Sequence, residues 1–121
     1  MLTELVRMHP LFSDASYLLG VLAYRTGHVK EAIAAFERTL YVDPASAMAS
    51  FSLGHLYRYE GHPLKARRAF QNALNALEGK PDEEPTRFSE DLSCGYLRAA
   101  CARSLEQLRD SHEQVERGGR R

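Results

Sequence analysis

Apolar residues recur along most of this chain at spacings of three and four, the period of one helix face. Between Ser13 and Arg25 they fall at Tyr17, Leu18, Val21, Leu22 and Tyr24. From Val29 to Tyr41 they are Ile33, Phe36 and Leu40, interleaved with alanines. Met48 to Tyr59 carries Phe51, Leu53, Leu56 and Tyr57, and a further run opens at His62-Pro63 and continues to about Leu77. Strand-like alternation is nearly absent. Gly27 suits the left-handed residue that closes a helix, and His28 or Val29 then opens the next. Asp43-Pro44 predicts another helix start, since Asp can cap and Pro fits a first turn. Gly61 breaks the third run. The pattern predicts an all-α protein of short helices joined by Gly and Pro turns.

The same skeleton is written twice. Residues 25–40 read RTGHVKEAIAAFERTL, and residues 59–74 read YEGHPLKARRAFQNAL. At a period of 34 the pairs are Leu19/Leu53, Gly20/Gly54, Leu22/Leu56, Gly27/Gly61, His28/His62, Ala32/Ala66, Phe36/Phe70 and Leu40/Leu74. A helix–turn–helix unit of this length, with Leu-Gly in its first helix, Ala and Phe in its second and a closing Pro, resembles the tetratricopeptide repeat. The resemblance implies a solenoid of helix pairs, with one repeat over 13–46 and another over 47–80. Departures from the pattern are Ala23 for an aromatic, Thr39 for Ala, and Glu78 for the closing Pro. Pro10 stands 34 residues before Pro44, so residues 1–12, with Leu2, Leu5 and Val6, read as the end of a preceding partial repeat. A repeat missing its first helix exposes an apolar face, which favours a chain continuing upstream over a short capping helix. Self-association through that end is an expected consequence.

After Leu77 the pattern stops. Residues 81–89 form an acidic, Pro-containing loop, and Ser89 with Glu90 and Asp91 reads as a helix start. The expected capping helix, 90–113, carries Leu92, Tyr96, Leu97, Ala100, Cys101, Leu105 and Leu108, and residues 114–121 read as a disordered tail. Cys94 and Cys101 would lie about 10 Å apart on one face of it, at ~1.5 Å rise per residue, too far for a disulfide. They read as core residues.

Composition then narrows the function classes. A chain of 121 residues fits one modest core. Zero formal net charge argues against a general nucleic-acid binder. No apolar run is long enough for a membrane helix, and MLTELVRMHP lacks the core of a signal peptide, so a cytoplasmic protein is expected. His9, His28, His55, His62 and His112 show no metal-ligand spacing among themselves or with the cysteines. There is no nucleophile elbow, phosphate loop or dinucleotide turn, so neither catalysis nor a bound cofactor is expected in this chain. Lys65, Arg67 and Arg68 read as a solvated outer face, loosely paired with Asp82, Glu83 and Glu84.

The repeat resemblance implies that the first helix of each pair lines a concave, protein-binding groove. Its positions here are Asp14, Tyr17, Val21, Tyr24 and Arg25, then Met48, Phe51, His55, Arg58 and Tyr59. Tyr and Arg dominate binding hot spots, although Tyr17, Met48 and Phe51 equally suit a core between repeats. The Lys/Asn groups with which other members clamp a C-terminal carboxylate are absent. A narrower likeness lies in AFERTLYVDP, FSLGHLYRYEGHPLKARRAFQNALNAL and EDLSCGYL. These resemble the tetratricopeptide domain fused to chemotaxis-type (CheR-like) receptor methyltransferases, gliding-motility (Frz-type) relatives included. That resemblance implies a regulatory or docking module with a protein or peptide partner: a receptor segment, a signalling protein or the methyltransferase domain. S-adenosylmethionine would belong to that other domain. A stand-alone adaptor in an unrelated assembly is the competing reading, and a small enzyme a remote third.

Overall fold

A computed structural model describes residues 10–86 and 89–119, with side chains placed over 14–86 and 93–109. Its helices are α1 (Pro10–Arg25), α2 (Val29–Val42), α3 (Ala47–Tyr59), α4 (Pro63–Leu77) and α5 (Cys94–Gly119). Between α4 and α5, β1 (Pro85–Thr86) pairs antiparallel with β2 (Ser89–Ser93). The expected preceding helix end at Leu2, Leu5 and Val6 lies outside the described residues.

The two repeats close their first helices identically. Gly27 and Gly61 both have φ +81°. The N–H of His28 donates to Ala23 O at 2.8 Å and that of Gly27 to Tyr24 O at 3.1 Å; His62 to Tyr57 O and Gly61 to Arg58 O repeat the pattern at 2.8 and 3.1 Å. This is the Schellman closure, which satisfies the last carbonyls and turns the chain back on itself. Pro63 then occupies the first turn of α4, where its missing N–H costs nothing. α1 is described from Pro10, ahead of the expected Ser13. The third helix corrects the expected start at Asp43-Pro44. Asp43 closes α2, its N–H donating to Thr39 O at 2.8 Å, and Ser46 caps α3, its hydroxyl accepting from Ala49 N at 3.3 Å.

Each helix pair is held at a distance only glycine permits. A Cβ built on Gly20 would lie 2.7 Å from the Phe36 ring, and one on Gly54 would lie 2.5 Å from the Phe70 ring. The rings rest on bare backbone, and Ala32 and Ala66 are fully buried beside them. Tyr17, Phe36, Ala49, Leu53 and Leu56 then join α1, α2 and α3 in one core. The Tyr57 hydroxyl bonds the Glu37 carboxylate across the same joint, which, after burial, holds the phenol above its usual pKa. Thr39 tolerates full burial at an alanine position because its hydroxyl donates to Ala35 O at 3.0 Å.

α5 occupies the place that the first helix of a third repeat would take. Cys94, Leu97 and Cys101 pack on Ala73 and Leu77 of α4 and on Ala47, Met48 and Phe51 of α3, and Leu108 packs on Ala66 and Phe70. It therefore runs along α3 and antiparallel to α4. Three expectations change here. α5 starts at Cys94, not at 90, because residues 89–93 pair with β1 and Ser93 is the cap, its hydroxyl accepting from Tyr96 N at 3.1 Å. The N–H groups of Cys94 and Gly95 donate to Glu84 O at 2.7 Å and Asp82 O at 3.0 Å, so the hairpin satisfies the helix start. The helix also runs on to Gly119, through residues read as a disordered tail. Finally, Asp82 pairs with Arg98 of α5 rather than with the basic face of α4. Arg98 also donates to Leu77 O and Lys80 O, both at 2.8 Å, and so closes the end of α4 where Glu78 replaces the usual proline.

Two substitutions test this packing. Gly54→Ala should destabilise by about 1–3 kcal/mol, the usual range for overpacking, read as a lower urea midpoint. Gly95→Ala should also destabilise, although Ala favours a helix by ~1 kcal/mol over Gly. The added Cβ would meet Asp82 Cβ at 2.8 Å and its Cα at 3.1 Å. A Gly95→Ala protein more stable than the parent would show that the loop yields and does not define the cap.

Candidate protein-interaction face

The expected groove residues separate into two sets. Tyr17 is 7% exposed and packs on Phe36, ring centroids 5.5 Å apart. Val21 and Met48 are half-buried against the same core. Phe51 is half-buried between α4 and α5, its ring 5.9 Å from that of Phe70 in an edge contact. These four are inter-repeat packing, as their apolar character allows. Asp14 is half-buried near the start of α1. Tyr24, Arg25, His55, Arg58 and Tyr59 are exposed on the first helices of the two repeats, with Tyr24 at 60% and Tyr59 at 77%.

The structure adds a third helix to this face. Arg58 Nη1 donates to Gln107 Oε1 of α5 at 2.8 Å, bridging α3 and α5. Aligning the buried stripe Ala49, Leu53, Leu56 with Leu97, Cys101, Ser104 places Tyr96, Arg103, Glu106 and Gln107 at the groove positions of α5. All four are exposed. Sequence reasoning treated α5 as a cap alone and missed them. The signal was available in the 3-4 spacing of Cys94, Leu97, Cys101 and Ser104, but the 34-residue register is broken by the hairpin insertion.

His55 sits at the centre. Its ring makes edge contacts with Phe51 and Phe70 at centroid distances of 4.6 and 5.1 Å. Desolvation against these rings, and then the Arg58 guanidinium, push its pKa below the usual 6.5. His55 is therefore neutral at pH 7. On the other side of α5's core, burial raises the Cys94 thiol, with Glu84 adding to the effect, and pushes Cys101 up to about 12. Both cysteines are free and buried. They are packing groups, not nucleophiles. Among the described residues, no three His, Cys, Asp or Glu side chains converge as a metal site needs, and no helix is long and apolar enough to cross a membrane.

The tetratricopeptide-repeat family model matches residues 1–49, from the start of the sequence through the first repeat to the opening of α3. No curated protein matches the chain. With two helix–glycine-turn–helix units closed alike and a fifth helix in the next slot, the fold is an all-α tetratricopeptide-repeat solenoid. Such repeats form a non-catalytic scaffold that generally binds proteins or peptides. The match is to the repeat itself and makes no link to a methyltransferase.

The two pKa directions give opposite pH windows. A histidine depressed in the native state takes its proton first in the unfolded chain. Stability conferred by neutral His55 is thus complete above pH 6.5 and falls as pH drops through the native pKa. The stability difference between wild type and His55→Gln, from urea melts at pH 5 to 8, should shift against wild type at the acid end. A raised thiol behaves oppositely, and its contribution is lost only as pH climbs from about 9 towards 12. At pH 8, iodoacetamide should leave native Cys101 unmodified and alkylate it in guanidinium, as peptide mass mapping would record.

Proposed function

We propose that the face formed by α1, α3 and α5 binds a segment of a partner protein, and that the segment is acidic. The observation that carries this reading is the exposed run Tyr24, Arg25, His55, Arg58, Tyr59, Arg103, whose three arginines outnumber the two acids at groove positions, half-buried Asp14 and exposed Glu106. Tyrosine offers large contact area at low entropy cost, and Arg reads carboxylates bidentately. The Arg58–Gln107 bond holds one guanidinium already oriented, which lowers the ordering cost of binding.

We further propose that the partner belongs to a chemosensory receptor methylation system. The support is the sequence likeness of the second repeat and α5 to the domain carried by CheR-like methyltransferases. On this reading the module docks a receptor segment, a signalling protein or the methyltransferase domain itself, in the cytoplasm. S-adenosylmethionine is held by the catalytic domain and by no residue of this chain. A stand-alone adaptor uses the same face for a different acidic partner.

Tyr24→Ala combined with Arg58→Ala should weaken partner binding at least tenfold by calorimetry, with helicity by circular dichroism unchanged. Binding by the wild type should fall as salt rises. Unaltered affinity in the double variant would move the site to the basic outer face at Lys65 and Arg68. Methyl transfer to a receptor, compared between the methyltransferase with and without this module, tests the finer assignment. Equal rates and equal site choice would leave the adaptor reading.

A further inference from the structure

The opposite flank of the array, formed by α1 and α2 away from the concave face, carries an apolar stripe that its repeat equivalent does not show. Leu19 and Leu22 are 54% and 59% exposed, whereas Leu53 and Leu56, at the same positions of the second repeat, are each 2% exposed. Leu18, 62% exposed, extends the stripe. In the second repeat the cover is α2, whose Leu40 and Glu37 lie in the groove lined by Leu53, Tyr57, Lys65 and Ala69. The matching groove of the first repeat is lined by Leu19, Leu22, Ala23, Glu31, Ala35 and Arg38. Ala23 stands where the second repeat has Tyr57, and this groove is the larger of the two, about 480 against 400 Å³.

We propose that the stripe is an interface with a second copy of this chain, the two related by a two-fold axis. The charges flanking the groove are self-complementary. Glu31 and Arg38 lie two turns apart on α2, about 10 Å at 1.5 Å per residue. A two-fold axis reverses one copy against the other, so Glu31 of each faces Arg38 of the other while the leucines meet between them. Head-to-tail stacking lacks this fit. At the other end of the array, the residues of α5 exposed outside its groove positions, Ala102 and Arg109, make no matching leucine ridge among the described residues. Contiguous apolar surface of this kind is uncommon on a free monomer. The interface is separate from the concave face and does not depend on the reading given for it.

Sedimentation of the full chain over 5–200 µM tests the inference. The wild type should sediment as a dimer at the upper concentrations and Leu22→Glu as a monomer with unchanged helicity. Glu31→Lys and Arg38→Glu should each weaken dimerisation about tenfold, and their combination should restore it. A wild type monomeric throughout overturns the proposal. If that monomer also loses stability on Leu22→Glu, the stripe is covered from within the same chain. A dimer indifferent to Leu22→Glu places the interface elsewhere and overturns it as well. A dimer sensitive to Leu22→Glu but not restored by the double charge swap overturns the two-fold arrangement.

Discussion

The contact of a phenylalanine ring with a bare glycine backbone sets the distance between the two helices of each repeat. Phe36 on Gly20 and Phe70 on Gly54 are the same contact made twice. Because each ring is nearly fully buried, it contributes about 1.5–3 kcal/mol of apolar burial. That amount is available only while the facing position has no side chain. Within each close pair Ala32 and Ala66 are fully buried beside the ring. That close approach also fixes the angle at which the next helix enters. The Schellman turns at Gly27 and Gly61 deliver the chain at that angle, and the positive φ they need is again a glycine property. The concave face follows, since stacked pairs of constant geometry present their first helices side by side.

The 34-residue period is interrupted after the second repeat. After Leu77 the chain makes an antiparallel hairpin before α5 returns to the slot of a third repeat. Arg98 holds the junction through Asp82 and the carbonyls of Leu77 and Lys80. Glycine again marks the tightest approach, this time Gly95 against Asp82. α5 then buries Cys94, Leu97 and Cys101 on one side and shows charge on the other. On the opposite flank Leu19 and Leu22 keep the identity of their buried equivalents while standing exposed.

The concave face combines packing and recognition in one register. Apolar residues at the inner positions, Tyr17, Val21 and Phe51, hold repeats together, and polar or aromatic residues one step outward face solvent. His55 belongs to both groups. Its ring is wedged against Phe51 and Phe70, and that desolvation, followed by the Arg58 guanidinium, lowers its pKa, so the charge at the centre of the face depends on the joint beneath it.

The amino-acid sequence by itself determined the helices, the two glycine closures, the duplicated core and the outward-facing Lys65, Arg67 and Arg68. All of these depend on local periodicity and on backbone conformations that single residue types favour. It also marked Tyr24, Arg25, Arg58 and Tyr59 for the face, because repeat position alone decides their orientation. The tertiary structure decided what depends on distant neighbours. Ser46 rather than Asp43 caps α3, since Asp43 is used to close α2. Ser93 rather than Ser89 starts α5, because residues 89–93 find a strand partner at 85–86, and Glu84 and Asp82 receive the first N–H groups of the helix. Asp82 turns to Arg98, not to α4. Tyr17 and Phe51 became core because α2, α4 and α5 close over them. Gln107 joined the face through Arg58, a bond between residues 49 positions apart that no local pattern encodes.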